Sequence, residues 1–152
     1  MKLLGQSKLN VFDRWVRFGS IVLLASLFLL SAFDKLLHYD GFLTAVGNYV
    51  ILPTGVAPYV APIVICTEFL GGFGLLVNGW RRPAAFLISI LLLIYAIMLS
   101  INKYYNPSAI CGCWFSITLG ESTLTHIIQN LLLAWLACWI GFENVQNTVS
   151  DH

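Results

Sequence analysis

The sequence predicts an all-α protein that crosses a membrane four times. Hydrophobic residues make up 59% of its 152 residues and charged residues only 10%, whereas soluble domains carry about 25% charge. A spanning helix uses about 17–25 residues, and four apolar runs have such lengths, at residues 18–37, 58–78, 84–101 and 124–140. We therefore expect residues 1–152 to form a single membrane domain. A net charge of +1 gives no sign of nucleic-acid binding.

The first span follows a basic segment that carries Lys2, Lys8, Arg14 and Arg17. Basic residues before an apolar run are also typical of a cleavable signal peptide, and the small pair at residues 31–32 is compatible with a cleavage site. We favour a retained span, because the basic segment and the apolar run are both long and the rest of the chain is itself apolar.

Between the first two spans, residues 40–50 predict a short amphipathic helix that lies on the membrane. Phe42, Val46 and Tyr49 fall on one face at helical spacing. Pro53 ends this helix. Its simplest function is to cover one end of the spans.

The distribution of Lys and Arg predicts the orientation of the chain. Six of the eight lie at the end with the N-terminus and the turn after the second span; Lys35 and Lys103 lie at the other end. Because cytoplasmic segments are enriched in positive residues, we expect both termini in the cytoplasm. The predicted location is the bacterial inner membrane, with the connection between the third and fourth spans in the periplasm.

That connection, the polar stretch 102–122, contains Cys111-Gly112-Cys113. Two thiols one residue apart would place their Cα atoms about 5.5–7 Å apart, at the limit of what a disulfide spans. Gly112 allows backbone angles that other residues resist. A strained, exposed disulfide is labile and oxidising, and the periplasm is a compartment in which disulfides persist. Cys111 and Cys113 are therefore the candidate catalytic residues for thiol–disulfide exchange.

Two other interpretations of this pair stay open. Cys111 and Cys113 could form a structural disulfide that only holds the connection in place, or they could be two unlinked thiols. A zinc site is disfavoured, because it needs four ligands and this motif supplies two. Cys66 and Cys138 do not form an evident second pair, since they lie at different depths of different spans.

Glu68 lies near the middle of the second span. A carboxylate there costs about 2.5–3.5 kcal/mol on insertion scales, so it is expected to face a partner or a cavity. Helical rise brings four other polar residues to a comparable depth: Ser31, Tyr95, Gln129 and Asn130. We predict a polar pocket below the Cys111 connection, with Glu68 at its floor and Lys35 or His126 near its mouth. It is either a hydrogen-bonded cluster that fixes helix register, or a proton relay or quinone-headgroup site coupled to thiol oxidation.

Several motifs resemble one known family, the MauE-like membrane proteins of the DoxX superfamily. They are FDKLL at residues 33–37, DGF at 40–42, NYVILP at 48–53, TEFLGG at 67–72, RR at 81–82, CGCWF at 111–115 and QNLLL at 129–133. The chain departs from the family pattern at Trp114, where phenylalanine is usual, and at Phe115, where the family has glycine. These departures leave the thiol pair intact.

The resemblance implies a four-helix bundle with the cysteine pair on the periplasmic side. MauE-like proteins are associated with thioredoxin-like periplasmic partners and with maturation of disulfide-rich proteins, notably the small subunit of methylamine dehydrogenase. The wider superfamily includes subunits linked to quinone-dependent oxidation and to membrane redox complexes.

Together these observations predict a membrane component of thiol–disulfide exchange. Cys111 and Cys113 would cycle with a thioredoxin-like or cysteine-containing client protein, and Glu68 would handle protons. A candidate cofactor-binding pocket, for which a quinone is the suggested ligand, would be lined by Lys35, Tyr95, Gln129 and Asn130. The alternative is a non-enzymatic scaffold subunit of a larger complex with a structural disulfide. A small-molecule transporter is disfavoured, because the chain is short and shows no repeat.

Overall fold

The computed structural model describes the backbone of residues 3–53, 55–105 and 123–149, and the side chains of residues 14–53, 55–105 and 124–142. Five helices occur within these residues, and no strand does: α1 (Leu3–Leu37), α2 (Tyr39–Gly47), α3 (Ala57–Leu76), α4 (Arg81–Tyr105) and α5 (Thr123–Val149). The prediction of an all-α fold with a short helix between the first two spans is confirmed.

Four of the helices contain segments long and apolar enough to cross a bilayer: Arg14–Leu37, Ala57–Leu76, Arg81–Tyr105 and Leu124–Phe142. The protein is therefore a multi-pass membrane protein. The third segment is longer than the predicted run 84–101. Pro83 is tolerated within the first turn of α4, because the first four N–H groups of a helix have no intrahelical partner. Lys103 lies in the last turn, where a cation interacts favourably with the helix dipole.

The four long helices form a closed bundle. Helix α1 packs against α3, α3 against α4, and α4 against α5, and a contact between α5 and α1 closes the ring. Its core consists mainly of aliphatic side chains, among them Leu24, Leu75, Ile88, Leu92 and Ile140. This arrangement agrees with the predicted four-helix bundle and directs one face of each long helix towards a common centre.

Helix α3 approaches both of its neighbours closely through glycines. A Cβ atom on Gly74 would lie 2.8 Å from the Cβ atom of Ala84 in α4. On the other side, a Cβ atom on Gly72 would lie 3.2 Å from the carbonyl oxygen of Ala25 in α1. Small residues at such positions let helices in a membrane pack at short range. The close packing holds Glu68, which precedes these glycines on α3, between α1 and α4.

Helix α2 covers one end of the bundle only in part. It packs against α1 and α3 but has no comparable contact with α4. Val46 is buried at its inner face, and Tyr49, just beyond its end, packs against Leu99 of α4. A gap therefore remains between α2 and the middle of α4.

Candidate functional site

The centre of the site is an ion pair between Lys35 at the end of α1 and Glu68 in the middle of α3. The Lys35 Nζ atom lies 2.6 Å from Oε1 and 2.8 Å from Oε2 of Glu68. Both side chains are inside the bundle, with 4% of Lys35 and 1% of Glu68 exposed. The sequence placed Lys35 near the mouth of a pocket and Glu68 at its floor. In the structure the long stem of Lys35 bends inward, and the two groups meet.

Two hydroxyl groups complete the surroundings of the Glu68 carboxylate. The Tyr95 hydroxyl of α4 donates a hydrogen bond of 2.6 Å to Oε1. The Ser31 hydroxyl of α1 donates to Oε2 at 3.4 Å and accepts a hydrogen bond of 2.7 Å from Lys35. An ammonium has three N–H groups, and here three oxygen acceptors surround it. The carboxylate is thus bound by side chains from both helices that flank α3.

Two aromatic rings lie beside the Lys35 ammonium. The Nζ atom is 5.5 Å from the centre of the Phe42 ring in α2 and 5.7 Å from that of Tyr95. Both distances are within the range of cation–π attraction. The contact to Phe42 joins α2 to the charged centre. This contact was not predicted from the sequence. The helical spacing of Phe42 with Val46 and Tyr49 predicted that these residues share one face of a helix, but not what that face contacts.

A small cavity of about 10 Å³ adjoins the carboxylate. Its polar lining comes from Ser31, Glu68, Tyr95 and Asn130. The volume is close to the about 10–15 Å³ that one water molecule needs, and a buried water needs two to four polar partners. The volume is therefore at the lower limit for one water molecule, and the four polar residues can supply its partners. It connects the carboxylate with α5, so all four long helices contribute to the site.

A larger cavity of about 280 Å³ lies between α2 and α4. Its wall is apolar and is formed by residues of α1, α2, α3 and α4 and of the segment that follows α2. Lys35 and Tyr95 belong to this wall and also to the charged centre. Glu68 lines the small cavity, Lys35 lines the larger one, and Tyr95 lines both.

The structure brings together most of the predicted pocket residues. Glu68, Lys35 and Tyr95 are in direct contact, and Asn130 is fully buried beside them. Gln129 is half-buried and lines neither cavity. It differs from Asn130 because consecutive residues of a helix point about 100° apart.

The cysteines and the histidine singled out from the sequence are not among the contacts of this centre that the structure describes. Cys111 and Cys113 fall outside the described residues. His126 is buried near the start of α5, and its Nδ1 atom has no hydrogen-bond partner within the described part of the chain. Cys66 is exposed and Cys138 is half-buried, and both thiols are free. Among the residues with described side chains, no group of three or more His, Cys, Asp or Glu could hold a metal ion.

The arrangement offers a short path for proton transfer. The Tyr95 hydroxyl, the Glu68 carboxylate and the Lys35 ammonium are joined by hydrogen bonds of 2.6–2.8 Å. An ionisable group inside a membrane span is costly and often belongs to a proton relay or a binding site. The same contacts also link three helices, so the cluster is equally suited to holding their relative positions.

Comparison with known proteins identifies the family. The family model described as methylamine utilisation protein MauE matches residues 13–143. The chain is 32% identical over 121 residues to the methylamine utilization protein MauE of Paracoccus denitrificans, and the match covers 79% of this chain and 65% of that relative. No solved structure matches the chain. The family match covers most of the chain, including most or all of every helix of the bundle, and the chain therefore belongs to the MauE family.

Proposed function

We propose that this protein is a membrane component of thiol–disulfide exchange in which Cys111 and Cys113 alternate between dithiol and disulfide. One observation carries the proposal: a Cys-Gly-Cys motif lies in the connection between two membrane helices of a MauE-family chain. The name of the family refers to methylamine utilisation. We accordingly propose a thioredoxin-like protein or a cysteine-containing client of that system as the partner.

The proposed exchange proceeds in two steps. The thiolate of one cysteine attacks a partner's disulfide, which forms a mixed disulfide and releases one partner thiolate. The second cysteine then attacks the mixed disulfide, which forms the Cys111–Cys113 bond and releases the second partner thiolate. Two electrons pass to the partner, and the two protons of the dithiol go to the surroundings or to the partner's thiolates. The reverse sequence oxidises a dithiol client.

The proposed location of the pair is the periplasm. Exposed tryptophans at the predicted cytoplasmic end, Trp15 and Trp80, lie near Arg14, Arg17, Arg81 and Arg82. Exposed tyrosines, Tyr59, Tyr104 and Tyr105, lie at the other end. Aromatic residues are enriched at both membrane interfaces, and Arg and Lys on the cytoplasmic side. These positions support an orientation with both termini in the cytoplasm of a bacterial inner membrane.

Glu68 and its neighbours are the proposed proton-handling centre. Four spans that alternate in direction place the end of α1 and the connection between α4 and α5 at the same end of the bundle. Lys35 lies at that end of α1, and Glu68 is bound to it. Because dithiol oxidation releases protons, a carboxylate that is hydrogen-bonded to a lysine from this end can accept and return them.

A quinone headgroup fits the larger cavity poorly. Its carbonyl oxygens need hydrogen-bond donors, but Lys35 donates to Ser31 and Glu68, and Tyr95 donates to Glu68. The wall of the larger cavity is otherwise apolar. The proposed exchange therefore runs between proteins, with the partner's cysteines as the redox couple.

Trapping of the mixed disulfide tests this proposal. Cys111→Ser and Cys113→Ser variants, each with Cys66 and Cys138 also replaced by serine, are expressed in cells and analysed on non-reducing gels. One of the two should accumulate a mixed disulfide with a partner, because its resolving thiol is missing. The variant that lacks both loop cysteines is the matched control and should trap nothing. Failure of both single variants to capture any partner would contradict the proposal.

A second candidate function is a non-enzymatic scaffold in which the cysteine pair is a structural clip. The observation that favours it is the Lys35–Glu68–Tyr95 cluster, which holds three helices together and has all its described donors paired. Redox titration separates the two functions. A Cys111–Cys113 bond with a potential below about −300 mV is structural, whereas a higher potential supports exchange.

A further inference from the structure

The larger cavity between α2 and α4 is not used by the proposed exchange. Its volume is about 280 Å³, nearly twice the about 150 Å³ of an engineered apolar cavity that stays dry and binds benzene. Helix α2 contributes Phe42, Ala45 and Val46 to its wall, and α3 contributes Val60 and Val64. The spacing of three and four residues on α2, and of four on α3, directs these side chains to one side of each helix.

The chemistry of the wall excludes water and polar ligands. Lys35 contributes its apolar stem to the wall, since its Nζ atom is bound to Ser31 and Glu68. The Tyr95 hydroxyl is likewise directed at Glu68, so the tyrosine ring forms part of the wall. A cavity holds ordered water only where two to four polar partners are present, and the described residues of this wall offer none. A molecule that binds there is therefore expected to be a hydrocarbon.

The cavity opens towards the bilayer. Ile94 lines it and is nevertheless 49% exposed. Ile90 and Ile97 lie four residues before and three after Ile94, on the same face of α4, and both are exposed large apolar residues. An exposed apolar face of a membrane-spanning helix lies against lipid. The mouth of the cavity is therefore reached from the lipid phase.

The cavity lies at the membrane depth where the acyl chain of a lipid begins, just below the headgroup. Val60 and Val64 lie three and seven residues beyond the first residue of α3, or about 5–10 Å into the span at 1.5 Å per residue. An acyl chain whose headgroup remains at the interface can reach this depth without moving the headgroup into the protein.

We propose that the cavity between α2 and α4 binds one acyl chain of a membrane phospholipid. The chain enters past Ile94 and lies against the Tyr95 ring and the stem of Lys35, so a bound lipid covers the apolar side of the ion pair. Neither of the two described cysteines, Cys66 and Cys138, contributes to the cavity wall. The proposed lipid site uses none of the residues assigned to thiol–disulfide exchange.

Retention of phospholipid by the purified protein tests this proposal. The full chain is reconstituted into vesicles of phosphatidylethanolamine and phosphatidylglycerol, extracted with detergent, washed free of loose lipid, and examined by native mass spectrometry. The wild type should retain one phospholipid per chain. Val64→Phe fills the cavity from α3, and retention should fall at least about tenfold, which corresponds to about 1.4 kcal/mol of binding free energy.

Ile63→Phe is the matched control, because Ile63 is the neighbouring residue on α3 and is exposed on the outer surface. It should retain phospholipid as the wild type does. Ala45→Phe fills the cavity from α2 and gives a second variant should Val64→Phe fail to fold, as judged by size-exclusion chromatography and circular dichroism.

Three outcomes would overturn the proposal: a wild type that retains no lipid, retention undiminished in the folded cavity-filling variants, or retention of an isoprenoid quinone in place of a phospholipid when both are present in the vesicles. A variant with Cys111 and Cys113 replaced by serine should retain lipid normally. The lipid result and the trapping result can therefore fail separately.

Discussion

The Nζ atom of Lys35 lies 2.6 Å from Oε1 of Glu68, and the contact joins the end of α1 to the middle of α3 inside the bundle. A buried ion pair gains little net free energy over apolar residues of the same size, because both ions lose their hydration. Removal of one partner is different, since it leaves an uncompensated charge away from water. The stability of the packing between α1 and α3 therefore depends on the presence of both partners.

Replacement of either partner should destabilise the protein strongly. We expect Lys35→Met and Glu68→Gln each to lower the free energy of unfolding by about 3–5 kcal/mol, because each leaves the other charge unpaired. Reversible unfolding in mixed micelles, followed by circular dichroism, measures this change. The double variant should be more stable than Lys35→Met alone, because the lone carboxylate has been removed. Additive losses in the double variant would show that the two groups do not interact.

Tyr95→Phe should lower the free energy of unfolding by less than the loss of the ion pair does. The variant keeps the aromatic ring and removes the hydrogen bond from the phenol to the carboxylate, which is short and has a charged acceptor. Hydrogen bonds between membrane helices contribute about 0.6–1.7 kcal/mol, and bonds to charged groups about 1.5–3 kcal/mol. We expect a loss of about 1–2 kcal/mol in the same unfolding experiment. Tyr59→Phe is the control: Tyr59 is 73% exposed, and its loss should stay within about 0.5 kcal/mol.

Gly74→Ala should disturb the packing of α3 against α4. The new methyl group would lie 2.8 Å from the Cβ atom of Ala84, which has no flexible end that can move aside. The helices must separate, and we expect a loss of about 1–3 kcal/mol. Gly19→Ala is the matched control, because nothing lies within 4 Å of a Cβ atom there. Its better helix propensity should stabilise α1 by about 0.5–1 kcal/mol. Equal effects of the two variants would contradict close glycine packing.

Cysteine labelling should reveal the orientation of the bundle. In a chain whose four native cysteines are serines, Asn48→Cys lies in the connection between α1 and α3, and Gly79→Cys in the connection between α3 and α4. A membrane-impermeant maleimide should label the first in intact spheroplasts and the second only after permeabilisation, because positive residues concentrate on the cytoplasmic side. The reverse pattern would place the Cys111 connection in the cytoplasm and remove the oxidising compartment from the proposal.

The sequence alone predicted the fold class, the number of spans and the importance of one carboxylate. Long apolar runs with few charges can satisfy their backbone groups in a bilayer only as helices, which is why composition and run length predicted the all-α class and the number of spans. The cost of a carboxylate at mid-membrane depth singled out Glu68, since such a group needs partners. The spacing of Phe42, Val46 and Tyr49 likewise predicted a short amphipathic helix in the segment 40–50.

Only the tertiary structure decided which groups meet. Depth along a helix could be counted from the sequence, but the rotation of each helix about its axis could not. That rotation pairs Lys35 directly with Glu68 and places Asn130, not Gln129, beside the carboxylate. The cavity between α2 and α4 was equally absent from the sequence pattern, because it arises from α2 packing against α1 and α3 while the space beside α4 is left unfilled. Such relations depend on residues far apart in the chain, and local periodicity carries no information about them.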